Sequence, residues 1–231
     1  MAAELLKSFL PNRPMPTRIW RGPFRGARIV MNPRDSIRKI LGLYEYELNP
    51  WLEKALRRSK RVLDVGANDG YFTFGCAAAF QRLGKKGEII CFEPQEQHML
   101  KLRRSIAAQN CPDIRFEIIH ALVGREVREG MTTLDATPTT DRRDTLVKID
   151  VEGAEVDVVE GARSWMDKSN LFVIEVHREA YLPELKQIFA ERGHRLAQIN
   201  QRPLALLGRE TRDKNNWWLV SDLQTPGEDL R

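Results

Sequence analysis

The stretch Arg61-Val-Leu-Asp-Val-Gly-Ala-Asn-Asp-Gly70 leaves a short apolar strand through a loop with a glycine at each end, and residues 71–83 then carry a helical pattern. A strand that exits through glycines into a helix is the first half of a βαβ unit. Working outward, the same rhythm repeats. Strand-like runs at 88–92, 114–119, 145–150 and 171–176 alternate with helical segments at 95–110, 154–166 and 182–192, and 195–199 and 217–220 read as closing strands. The runs are nearly continuously apolar, as strands covered on both faces must be. Seven strands with crossover helices imply an open, doubly wound, mostly parallel α/β sheet with helices on both faces.

Upstream of residue 60 the signals change to a Pro-rich start, an Arg-Gly-Pro-Phe-Arg-Gly turn at 21–26, a strand at 27–31 and a helix at about 49–58. Residues 1–59 therefore read as a small basic N-terminal cap, and 60–231 as the core. Residues 1–61 hold 14 Lys/Arg against 5 Asp/Glu, a charge of +9, while the whole chain of 231 residues carries only +5. A local basic segment is one mark of nucleic-acid binding, so a nucleic-acid-directed enzyme or binding protein is the alternative reading. Against it, the arginines lack interleaved aromatic residues, and residues 150–152 read Asp-Val-Glu where a base N-methylating enzyme would carry a polar-Pro-Pro-aromatic motif.

With 42% hydrophobic and 30% charged residues, the composition excludes fibrous and largely disordered classes. No run approaches eighteen apolar residues, so no membrane span is expected. The first ten residues lack a signal peptide's apolar region. Cys76, Cys91 and Cys111 form no Cys-x-x-Cys pair, which suggests reduced thiols in a cytoplasmic protein and no zinc site.

In an open α/β sheet, ligands bind beyond the carboxyl ends of the strands where strand order reverses, which places the site at the loop 64–70. A dinucleotide would need Gly-x-Gly-x-x-Gly, but here Ala67 follows the first glycine and Asp69 would repel a phosphate. A phosphate-free cationic cofactor such as S-adenosylmethionine suits the loop better. Glu93 ends the next strand, 29 residues after Asp64, where a carboxylate can accept both ribose hydroxyls. Asp150, Glu152 and Glu155 crowd the end of the fourth strand. Glu175 and His177 share a face of the fifth, where an imidazole beside a carboxylate can serve as general base. Lys148 and Asp150 share a face of one strand, so an ion pair is expected between them. An Asp/Glu/His set can alternatively hold a divalent metal that acidifies a hydroxyl. Without paired ligand spacing, no metal is expected.

Five segments then carry a resemblance: 64–73 (Asp-Val-Gly-Ala-Asn-Asp-Gly-Tyr-Phe-Thr), 92–94 (Phe-Glu-Pro), 132–135 (Thr-Thr-Leu-Asp), 146–155 (Leu-Val-Lys-Ile-Asp-Val-Glu-Gly-Ala-Glu) and 174–177 (Ile-Glu-Val-His). In order and spacing they resemble the FkbM-type family of S-adenosylmethionine-dependent methyltransferases over roughly residues 40–180. The resemblance implies a Rossmann-like methyltransferase fold and transfer of a methyl group, usually to a hydroxyl of a sugar, natural product or lipid. It also implies that Asp64, Gly66, Asn68 and Gly70 line the methionine part of the cofactor, that Glu93 holds the ribose, and that the adenine falls near His120 and Ala121. Tyr44 and Glu45 would close over the cofactor as a lid. Asp150, His177 and Glu152 would act on the acceptor, with His177 or Asp150 taking its proton.

Overall fold

The computed structural model describes residues 9–202 and 216–223. After an antiparallel pair, β1 (Met15–Arg18) and β2 (Arg28–Met31), come α1 (Ile37–Ile40) and α2 (Asn49–Arg58). The core follows as β3 (Arg61–Val65), α3 (Tyr71–Arg82), β4 (Gly87–Phe92), α4 (Glu96–Ala108) and β5 (Ile114–Ile119). A short pair, β6 (Leu122–Val123) and β7 (Met131–Thr132), precedes β8 (Thr145–Ile149), α5 (Glu155–Glu160), β9 (Leu171–Val176), α6 (Tyr181–Ala190), β10 (Leu196–Ile199) and β11 (Trp217–Ser221). Seven strands form one sheet in the order β10-β11-β9-β8-β3-β4-β5. All its pairings are parallel except those of β11, which runs antiparallel to both neighbours. No helix among the described residues is long and apolar enough to cross a membrane.

The period of two along each strand sends side chains to two separate cores. Val62, Ile89, Leu146 and Val173 join one; Leu63, Ile90, Val147 and Phe172 join the other. Counting on by twos from the first set reaches Asp64, Glu93, Lys148, Asp150, Glu175 and His177. The sheet thus delivers its polar strand ends to a single face.

The N-terminal segment covers that same face. In α3 every residue from Tyr71 to Phe80 is buried, and a helix apolar all round needs cover on its outer side as well. Phe24 supplies it, edge-on to Tyr71 and Phe72 at 5.2 and 5.5 Å. A Cβ on Gly75 would stand 2.3 Å from the Phe24 ring. Gly75→Ala would gain about 1 kcal/mol of helix propensity, but overpacking a filled core costs about 1–3 kcal/mol. A net loss is expected, seen as a lower thermal midpoint; an unchanged or higher midpoint would show that the ring yields freely.

Two expectations need correction. The helix expected over 154–166 stops after Glu160 and resumes as a 3₁₀ turn, Arg163–Trp165. A Cβ on Gly161 would sit 2.1 Å from the Gly124 carbonyl oxygen, and Gly161 gives its own carbonyl to the Asp135 amide at 2.9 Å. The 124–135 loop therefore occupies the space a continuous helix would need. The strands β1, β6 and β7 escaped notice because two to four residues carry no readable period. In the 132–135 motif, Thr133 caps a 3₁₀ turn by accepting from the Ala136 amide at 3.1 Å, and Asp135 accepts from Ser164.

Candidate active site

At the carboxyl ends of β3, β4, β8 and β9 lies a cavity of about 730 Å³, a size ordinary for small-molecule sites. Its floor is the turn after β3. Gly66 has φ +80°, and a Cβ there would fall 1.9 Å from the Asp150 carbonyl oxygen, so only glycine allows the ends of β3 and β8 to meet. On the other side the amides of Gly66 and Ala67 donate to the Phe92 carbonyl at 3.0 and 3.1 Å. The turn is thereby pinned to both neighbouring strands. Asn68, also left-handed at φ 50°, donates its amide to Glu93 Oε2 at 2.8 Å.

Glu93 is almost wholly buried and lines the cavity. Its second oxygen, Oε1, accepts from the Gln95 amide at 2.9 Å and lies 3.5 Å from His98 Nδ1. Each carboxylate oxygen can take more than one donor, so a carboxylate fixed by two backbone amides still has capacity for a diol. Asp69 behaves otherwise. Its Oδ2 meets Lys39 Nζ at 2.5 Å, with the ammonium 5.0 and 5.4 Å from the Tyr44 and Tyr71 ring centres, and its Oδ1 accepts from the Tyr71 amide at 3.2 Å. The acid judged hostile to a phosphate is neutralised by the N-terminal segment.

Beneath the floor lies Lys148. Its Nζ donates to the Gly66 carbonyl at 3.1 Å and stands 3.0 Å from Asp150 Oδ2 and 3.4 Å from Asp64 Oδ1. Burial works against this ammonium, but Asp150, Asp64 and Glu45 together hold its pKa well above the ordinary lysine value. Asp64 is fully buried. Burial pushes its carboxyl up, opposed by Lys148 and by the Thr73 hydroxyl, which donates to Oδ2 at 2.5 Å.

On the far wall the chain after β8 turns through Glu152, at φ 28°, and Gly153, at φ 93°. That turn brings Glu155 back under His177, whose Nδ1 lies 2.6 Å from Glu155 Oε1. The same oxygen accepts from the Gly153 amide at 2.9 Å. Burial disfavours ionised Glu155, yet His177 and this amide hold its pKa below the ordinary value. Burial likewise opposes protonated His177, but Glu155, Glu175 and Asp150 raise its pKa. His177 Nε2 stands 3.8 Å from Asp150 Oδ1, and one donor atom each from Asp150, Glu175 and His177 lie within 4.8 Å of one another. Glu175 accepts from Asn216 Nδ2 at 3.2 Å.

The cavity therefore gathers Gly66, Asn68, Glu93, Ala121, Asp150, Glu152 and His177 from among the residues singled out in the sequence. Others lie elsewhere. Asp64 is sealed behind the floor, and Gly70, at φ 83°, is the residue before α3. His120 is exposed, with Nε2 2.8 Å from the Pro94 carbonyl oxygen, and is not among the lining residues. Glu45 is buried in a left-handed turn and acts on Lys148, while its neighbour Tyr44 reaches the cavity. Sequence reasoning missed His98, Arg178 and Asn216, which also line it. His98 had a legible signal: it sits in the first turn of a helix starting just after Pro94, so it folds back over Glu93. Asn216 had none, because its place beside Glu175 depends on the antiparallel pairing of β11 with β9.

Residues 115–196 match the model of the methyltransferase FkbM domain. No curated protein matches the chain. Among solved structures, methyltransferase FkbM from Methylobacillus flagellatus KT is similar at 20% identity and a TM-score of 0.57, over 71% of this chain and 44% of that one. The chain thus spans less than half the length of that relative. Precorrin-6y C5,15-methyltransferase from Geobacter metallireducens GS-15 is similar at 11% identity and 0.50, over 77% and 89%. The MTase domain of METTL16 is similar at 12% identity and 0.51, over 74% and 64%. Likeness at such identities is one of fold, and all three share the methyltransferase architecture. The matched segment contains β8, α5 and β9, which carry Lys148, Asp150, Glu155 and His177, and over that third of its length the chain is similar to the methyltransferase FkbM domain.

Proposed function

We propose that the protein transfers the methyl group of S-adenosylmethionine to an oxygen nucleophile, a hydroxyl on a sugar, a natural product or a lipid-like small molecule, and works in the cytoplasm with its thiols reduced. The observation that carries this reading is one cavity with two chemically different walls. On one side stands Glu93, fixed by the amides of Asn68 and Gln95; on the other, the Asp150–Glu175–His177 cluster. The cofactor, when bound, supplies an electrophilic methyl group on a cationic sulfur. The lining fits such a group: Glu93, Asp150, Glu152 and Glu175 face the space, which suits a cationic, phosphate-free ligand.

In this reading Glu93 accepts the ribose hydroxyls, the turn at Gly66 and Asn68 lies against the methionine part, and Ala121 bounds the adenine. Tyr44 closes the edge, and residues 1–59 serve as a cap that carries it. The acceptor's hydroxyl lies against Asp150 and His177 and is deprotonated there, with Glu152 at the rim. Holding the two reactants in line is the larger contribution, since alignment of bound partners is worth about 7–11 kcal/mol.

His177→Ala tests the division of labour. Turnover on a responsive hydroxylated acceptor is expected to fall by about 10²–10⁴-fold, the usual weight of an acid–base group. Calorimetric affinity for S-adenosylhomocysteine should stay nearly unchanged. Affinity lost with turnover retained would overturn the assignment.

A further inference from the structure

The cluster on the far wall has the construction of a metal site, and we propose that Asp150, Glu175 and His177 bind a divalent cation of the Mn²⁺ class whose open positions face the cavity.

The donor set is mixed: two carboxylates and one imidazole, from the ends of two adjacent parallel strands, with one donor atom of each inside a 4.8 Å span. The orientation of each donor is fixed from behind. Glu155 Oε1 lies 2.6 Å from His177 Nδ1; a carboxylate only accepts, so Nδ1 carries the hydrogen and the neutral ring's lone pair is on Nε2. A buried carboxylate fixing the far nitrogen of an imidazole is the usual outer support of a metal-bound histidine. Asp150 is divided in the same way. Lys148 holds Oδ2 at 3.0 Å, which leaves Oδ1 pointing at His177 Nε2. Glu175 is steadied by Asn216 through Oε1.

Spacing supports the same conclusion. At 3.8 Å, Nε2 and Oδ1 are too far apart for a hydrogen bond. Two donors that far apart can both lie about 2.1 Å from one ion between them, and a small rotation of Glu175 completes a third position. Carboxylates with a single imidazole favour Mn²⁺ or Mg²⁺ over thiolate-seeking metals.

The ion site stands on these residues alone; its use in catalysis rests on the methyl-transfer reading above. The acceptor's hydroxyl would bind the cation and lose its proton to solvent. The electron pair left on oxygen then forms the new bond to the methyl carbon, while the carbon–sulfur pair stays with sulfur. Asp150 and His177 would thus assist deprotonation by holding the ion.

The test uses the full chain stripped of metal with a chelator and titrated with Mn²⁺ while electron paramagnetic resonance reads the free ion. One bound Mn²⁺ per chain is expected, with a directly coordinated ¹⁴N in pulsed spectra of the unmodified protein, a readout that needs no variant. Glu175→Gln should weaken binding at least about tenfold, by analogy with the 10–100-fold weight of metal-site support. His177→Ala should abolish the ¹⁴N coupling. No binding at millimolar Mn²⁺, an all-oxygen ion, or equal binding by Glu175→Gln and His177→Ala would overturn the site. S-adenosylhomocysteine titrated in parallel separates the two ideas. Mn²⁺ bound without it sinks the methyl-donor reading and leaves the ion site intact; the reverse sinks only the ion site.

Discussion

Glu93→Ala is expected to weaken S-adenosylhomocysteine binding by about 100-fold. A hydrogen bond to a charged group contributes about 1.5–3 kcal/mol, and a carboxylate clasping two hydroxyls would lose two of them, offset by water that enters in their place. The substitution also takes the acceptors away from the amides of Asn68 and Gln95, so the turn that faces the ligand loosens. Glu93→Gln keeps one acceptor oxygen and should fall between alanine and the parent. Calorimetry with each variant decides the matter: an affinity within about threefold of the parent for Glu93→Ala, far less than one such bond is worth, would remove Glu93 from the ribose.

The second large effect is on stability. Lys148→Met should destabilise the fold by about 3–5 kcal/mol, the usual result of removing one partner from a buried charge pair. The ammonium is nearly inaccessible and Asp64 wholly so, leaving little solvent to take over the compensation. The Gly66 carbonyl also loses its donor. Adding Asp64→Asn, which removes the stranded charge at almost constant shape, should restore part of the loss. Urea unfolding of the two single variants and the double variant gives the coupling directly. Strictly additive losses would mean that Lys148 and Asp64 do not sense each other.

How legible was all this in the chain? The sheet was, because five parallel strands buried on both faces must be written in Val, Ile, Leu and Phe, and glycines must stand where strands exit into helices. The cluster of strand-end acids was legible for the same reason: the period of two assigns Lys148 and Asp150 to one face, and they meet at 3.0 Å. What stayed hidden was contact between parts distant in sequence. Nothing local to Asp69 announces Lys39, thirty residues earlier, or shows that Asp64 points behind the floor to Lys148. His120 was carried over by likeness to a family position, yet its ring turns outward to the Pro94 carbonyl. Periodicity says which face a side chain takes; what it meets there depends on the other elements.

The near-contact of Gly66 with the Asp150 carbonyl oxygen has a bearing on engineering. The turn after β3 and the end of β8, which the proposed function assigns to donor and recipient, are welded at one point, so neither can slide against the other. A designer seeking new recipients should leave that weld alone and work on the outer parapet, at Leu122 and Arg178, where exchanging a side chain would alter admission without disturbing aim.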